Sequence, residues 1–156
     1  MTSAAVQDEY PADVSHCYGC GRLNDHGLHI RSFWDGEKAT AAFTPLPHHT
    51  AIPGYVYGGL LASLVDCHGT GTAAAKARQD RAVDVPPRFV TASLQVDYLR
   101  PTPLGVPLLL EGRPTEVRGR KIVVEVELAA EGQVCVRGRV VTVEMPEHMV
   151  MESNPS

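Results

Sequence analysis

The spacing of apolar positions changes character along the chain, and the changes mark the elements. From Gly58 to about Arg78, Leu60, Leu61, Leu64, Val65 and His68 share one broad arc at about 100° per residue, which predicts a long helix. Further on, "FVTASLQVDYLR", "VPLLLEGRPTEVR", "KIVVEVELAAE" and "QVCVRGRVVTVEM" are rich in Val, Ile and Leu. Ile122, Val124, Val126 and Leu128 alternate with polar or small residues, the period of a half-buried strand. Arg118-Gly119-Arg120 and Glu131-Gly132-Gln133 are the predicted turns between these strands. Upstream, "GLHIRSFW" and "KATAAFT" predict two short strands joined by the Asp35-Gly36 turn. "PLPHHTAIPG", with three prolines in ten residues, and "QDRAVDVPPR" predict loops. The order β-β-α-β-β-β-β gives an α+β class, in which the helix can bury itself only against an antiparallel sheet.

One residue does not suit a buried helix. Asp66 falls opposite the apolar arc, among Gly59, Ala62, Ser63, Gly69, Thr70 and Ala73. A face meant for water normally carries Lys, Glu, Arg or Gln. A stripe of small residues instead lets a second subunit or a ligand approach closely, and a charge in such a seam is costly unless it is hydrogen-bonded or reactive. A cap, a bridge within the helix or a partly wet face would also accommodate Asp66. Gly58 and Gly59 mark the predicted helix start, where backbone N–H groups lack partners and the dipole is positive. Their amides can serve as an oxyanion hole.

Composition sets bounds on this picture. The chain has 156 residues, 44% apolar and 21% charged, the profile of one globular domain. A net charge of −4 and a pI near 5.9 argue against a nucleic-acid surface. No run approaches the ~18 consecutive apolar residues of a membrane span. "MTSAAVQDEYPADVS" lacks an apolar segment and any Lys or Arg, so a cytoplasmic location is expected. Residues 1–15 are expected to form a flexible leader, 16–146 the domain and 147–156 a flexible tail. Cys17 and Cys20 form a C-x-x-C, but Cys67 falls in the helix and Cys135 in a strand, so no second ligand pair accompanies them. The simpler expectation is a glycine-rich turn with structural thiols and no metal. His68 is expected to be a core histidine, and Trp34 a core tryptophan.

At "PGYVYGGLLASLVD" the chain resembles the hotdog-fold acyl-CoA thioesterases of the PaaI-like group, and is most similar to the branch with the mitochondrial long-chain acyl-CoA thioesterases. Gly58, Gly59 and Asp66 match that group's two glycines, six residues and Asp, with Pro53 and Gly54 ahead of them. "FVTASLQVDYLRPTPLG" resembles the group's next strand, where Thr91 stands at the position of a catalytic Thr or Ser. "EVRGRKIVVEVEL" is similar to its late hairpin, and "CYGCGRLNDHGLHIRSF" to the N-terminal segment of some bacterial members. Tyr57 replaces the group's His, and Ala51 an Asn found in many relatives. A phenol donates a hydrogen bond but is no base near neutral pH.

The resemblance implies a long central helix wrapped by an antiparallel sheet. It also implies hydrolysis of acyl-CoA or acyl-carrier-protein thioesters by a homodimer or dimer of dimers. No cofactor is expected beyond coenzyme A as part of the substrate, and no nucleic-acid or membrane partner. In the implied mechanism the carbonyl meets the Gly58 or Gly59 amide, and Asp66 activates water or attacks directly. Thr91 would position the water or the carboxylate from the facing subunit. Tyr57, His49 and Ser63 are candidates for the substrate pocket, with His48 beside them. Arg118, Arg120 and Lys121 could meet the coenzyme phosphates, which arginine forks suit. Two other functions fit the pattern: a hotdog hydratase or dehydratase, which needs a His converging with Asp66, and a non-catalytic acyl-CoA-binding module.

Overall fold

The computed structural model describes residues 4–149. They form the helix α1 (Gly58–Arg81) and the strands β1 (Phe33–Trp34), β2 (Ala39–Phe43), β3 (Phe89–Tyr98), β4 (Leu108–Arg118), β5 (Lys121–Ala130) and β6 (Gln133–Glu144). Short 3₁₀ turns cover Val6–Glu9, Ala12–Val14 and Glu147–Met149. The strands make one sheet in the order β1-β2-β4-β5-β6-β3, every pairing antiparallel. α1 packs along this sheet, as the hotdog fold requires.

The apolar arc of α1 is buried as predicted: Leu60, Leu61, Leu64, Val65 and His68 lie in the core. Two glycines set how closely helix and sheet approach. A Cβ on Gly69 would lie 2.6 Å from Val140 of β6, and one on Gly138 of β6 would lie 2.3 Å from Val65. Gly69, Thr70 and Ala73 are therefore covered by their own chain. Of the small-residue stripe, only Gly59, Ala62, Ser63 and Asp66 keep partial exposure. The helix runs past Arg78 to Arg81 because no breaker intervenes. It ends at Ala82 in the left-handed region (φ 50°), with Arg81 gripping Glu144 of β6 through two hydrogen bonds.

The N-terminal part departs most from expectation. Residues 4–15 are not a loose leader, for Ala5, Val6, Gln7, Tyr10 and Ser15 are buried. The predicted strand over "GLHIRSFW" shrinks to Phe33–Trp34. Its earlier backbone bonds elsewhere: Leu28 N to Tyr18 O, Ile30 N to Gly19 O, and Ser32 N to the Gln7 side chain. Trp34 is half-buried at the core's edge, its indole N–H donating to Gln79. Residues 147–149 form a 3₁₀ turn, and the rest of the expected tail lies outside the described residues.

A buried polar chain fixes the N-terminal segment to α1. The Gln7 amide donates to the Ser32 hydroxyl (3.1 Å), and that hydroxyl donates to Nδ1 of His68 (2.8 Å). His68 Nε2 donates to the Ala39 carbonyl (3.0 Å), which can only accept, so this tautomer is fixed. His68 is the core histidine expected from its position on the apolar arc.

Gln7→Ala should cost about 1–3 kcal/mol in denaturant unfolding, because Ser32 is left with an unsatisfied buried N–H. Burial depresses the His68 pKa to about 4, the bond to Ala39 opposing it. The unfolded chain takes up this proton below about pH 6.5 and the folded chain only near pH 4. Stability attributable to His68 should fall by up to about 3 kcal/mol as pH drops through that window. Urea unfolding from pH 7 to pH 4 should show this slope, and His68→Gln should flatten it.

Candidate active site

The start of α1 is built by the proline loop. Pro53-Gly54 forms its tight turn, with Gly54 at φ 93° and Tyr55 N bonded to Ile52 O. Tyr57 N–H donates to His49 O, and Val56 N–H to Thr102 O, which anchors the entry to the helix. Leu60 and Leu61 donate back to Tyr57 O. Among the described residues, the amides of Gly58 and Gly59 have no acceptor, and no side chain caps the helix. They are free donors at its positive end. The Tyr57 ring folds across this point: a Cβ on Gly59 would lie 2.4 Å from it.

Two turns further on, Asp66 is half-buried, and the Thr91 hydroxyl of β3 donates a hydrogen bond to its Oδ1. A bulge between Thr91 and Ser93 interrupts the pairing of β3 with β6 at that point. Bulges of this kind re-aim a side chain. Burial raises the Asp66 pKa above the usual carboxylate value, Thr91's hydrogen bond opposes the shift, Cys17 adds to it and Arg88 counters it. Thr91 and the Asp66 carboxylate it holds thus lie in one chain.

The other candidates divide. Tyr57, His49, Ser63 and His48 line one cleft of about 440 Å³ with Tyr18, beside the helix start. Ser63 donates to Gly59 O, and the His49 ring accepts from Leu46 N and packs on Phe43. Burial and the neighbouring His48 depress the His49 pKa. Arg118, Arg120 and Lys121 sit at the β4–β5 turn, where Glu144 N bonds Arg120 O and Glu144 holds Arg81. That is the C-terminal end of α1, far from Gly58 within one chain.

Three residues escaped sequence reasoning. Tyr98 of β3 donates to Gly58 O (2.7 Å), fixing the helix start. It lines a second, apolar cleft of about 590 Å³ with Ile52, Tyr55, Val56 and Leu61. Arg88 lies over the Tyr10 ring and near Cys20. Cys67 is not isolated in the helix: its sulfur and those of Cys17 and Cys20 all lie within 4.8 Å of one another. Period alone could signal none of these, because each depends on a contact between segments distant in sequence.

Among the described residues, no helix is long and apolar enough to cross a membrane. Residues 53–137 match the family described as the thioesterase superfamily, a span that holds Gly58, Gly59, Asp66 and Thr91. A crystal structure of a thioesterase superfamily protein from Shewanella loihica PV-4 is 51% identical, covering 85% of this chain and 96% of that one with a TM-score of 0.68. The acyl-coenzyme A thioesterase THEM4 of Xenopus laevis is 30% identical over 86 residues, 55% of this chain. The chain spans about a third of that relative's length, 35%. The PaaI protein of E. coli shares the fold, with 17% identity, a TM-score of 0.64 and coverage of 76% of this chain and 81% of that one. This chain belongs to the thioesterase superfamily.

Proposed function

We propose that this protein hydrolyses acyl-CoA thioesters as a homodimer, with Asp66 as general base and the Gly58 and Gly59 amides as oxyanion hole. The observation that carries the reading is the half-buried Asp66 carboxylate, engaged at Oδ1 by Thr91 and with Oδ2 left for water. The acyl-CoA thioesterase similarity supports the substrate class. In the reaction, Oδ2 takes a proton from water as its oxygen attacks the thioester carbonyl carbon. The oxyanion forms against the glycine amides. Collapse expels the thiolate, which takes the proton back from Asp66, and the acid product ionises into solvent.

The spacing along α1 supports a site shared by two chains. Eight residues of helix separate Gly58 from Asp66, about 12 Å at 1.5 Å per residue. One carbonyl cannot meet both at about 3 Å. A second protomer bringing its Gly58 against the first protomer's Asp66 resolves this. β3 supports such an arrangement, for it is an edge strand, and Thr91–Gln95 are exposed on both faces. An unpaired edge of that length is a template for another chain. Arg118, Arg120 and Lys121 would reach coenzyme phosphates only by the same cross-chain route.

Asp66→Asn should lower kcat by at least ~10²-fold on the best acyl-CoA, with KM changed little. The raised Asp66 pKa places the acid limb of kcat/KM above the usual aspartate value of 3.8. Thr91→Ala should lower kcat less and move that limb to higher pH, because Thr91's hydrogen bond holds the pKa down. A raised folded-state pKa also means that the carboxylate costs stability once pH exceeds its unfolded value. Asp66→Asn should therefore melt higher than wild type at pH 7, the gain fading toward pH 4. An Asp66→Asn protein as active as wild type sinks the mechanism.

Gly58→Pro tests the shared site. It removes one amide at a first helical position, where proline is tolerated, and Tyr57 already has the extended backbone that proline demands (φ −61°, ψ 128°). Gly58→Pro and Asp66→Asn should each be nearly inactive alone, whereas mixed dimers of the two should regain activity through one intact site. No recovery in verified mixed dimers would place the hole and the base in one chain.

A further inference from the structure

Three cysteines from two distant segments meet beside Asp66. Cys17 and Cys20 come from the N-terminal turn, and Cys67 from α1, one residue after the carboxylate. The turn is pressed hard against the helix: a Cβ on Gly19 would lie 2.3 Å from the Cys67 sulfur. Cys67 and Cys20 are buried and Cys17 half-buried, all as free thiols. We infer that Cys17, Cys20 and Cys67 form a three-thiolate site for a zinc(II)-class metal ion, which clamps the N-terminal segment onto α1 next to Asp66. The metal-free turn expected above rested on the absence of a partner for Cys17 and Cys20, and Cys67 is that partner.

The sulfur geometry favours a metal over a pair of redox thiols. Tetrahedral zinc with Zn–S bonds of ~2.3 Å places sulfurs about 3.8 Å apart. The Cys17 and Cys67 sulfurs are 3.8 Å apart, and the third sulfur is within 4.8 Å of both. A disulfide needs only two sulfurs, whereas here a third completes the triangle.

Charge and hydrogen bonding around the cluster agree. Three thiolates and a divalent ion carry a net charge of −1, and Arg88, with its guanidinium nitrogen 4.0 Å from the Cys20 sulfur, offsets it. Among the described residues, the Tyr10 hydroxyl is buried without a partner, and its ring lies beneath Arg88, whose guanidinium reaches toward the Cys20 sulfur. Among the described residues no fourth His, Cys or carboxylate joins the cluster, so the ion's fourth position remains open to an exchangeable ligand. Binding displaces thiol protons, so affinity should rise with pH.

The full chain, reduced and stripped with a chelator, should be titrated with cobalt(II) as the probe. One equivalent per chain should give a near-ultraviolet thiolate-to-cobalt charge-transfer band that zinc(II) bleaches, together with a higher melting temperature. Cys17→Ser, Cys20→Ser and Cys67→Ser should each abolish the band, while Cys135→Ala, outside the cluster, should keep it. The wild-type titration stands even if a serine variant misfolds. Folded wild type that shows no band, or a band that survives Cys67→Ser, overturns the site. So does a protein that takes up no metal when reduced and forms a Cys17–Cys67 disulfide in air. None of these readouts depends on thioester hydrolysis.

Discussion

The close approach of α1 to β6 governs the rest of the molecule. With glycine at 69 on the helix and at 138 on the strand, Val140 and Val65 each fill the space where a side chain would stand. The helix is held deep in the sheet, and its later turns are covered by its own chain. Four glycines in a 24-residue helix cost about 1 kcal/mol each relative to alanine. Gly69 and Gly71 are retained because a Cβ at either would collide with packed neighbours, Val140 in one case and Gln7 in the other. What stays partly open is the flank from Gly59 to Asp66. The one charge that flank carries is thereby partly desolvated, which raises its pKa and makes it a stronger base.

This constraint also explains why a chemically costly residue sits in an otherwise conventional core. Asp66 lies one residue from the buried Cys67 and two from the fully buried His68. Each of the three meets a different neighbour: Asp66 meets Thr91 of β3, Cys67 meets the N-terminal cysteines, and His68 meets Ser32 and Ala39. A single turn of helix is thus tied to three separate parts of the chain. Rotation or sliding of α1 would break all three sets of contacts together, so the position of the carboxylate is set by packing rather than by its own hydrogen bond alone.

Periodicity made the sheet and the helix legible because both are repetitive, and their burial follows from a fixed angle per residue. The four late strands and α1 lie where the pattern placed them. Gly58, Gly59, Asp66 and Thr91 could be named because their spacing resembles that of a known group. The N-terminal segment was not legible. "GLHIRSFW" carries strand-like residues, yet its backbone is satisfied by Tyr18, Gly19 and Gln7, none of which a local window contains. "MTSAAVQDEYPADVS" has too few apolar residues to predict burial, and its packing depends on Gln7 finding Ser32 and on Tyr10 lying beneath Arg88. Cys67 was assigned to the helix correctly, and for that very reason its meeting with Cys17 and Cys20 was hidden.

The N-terminal segment therefore does more than extend the domain. Val6, Gln7 and Tyr10 fill the core, Ser32 reaches His68, and the Cys17–Cys20 turn packs on Cys67. Cys17 of this segment also acts on the electrostatics at Asp66, raising its pKa, while Arg88, just ahead of β3, lowers it. The helix and β3 position the Asp66 carboxylate, and Cys17 of the N-terminal segment adjusts how strongly it holds a proton.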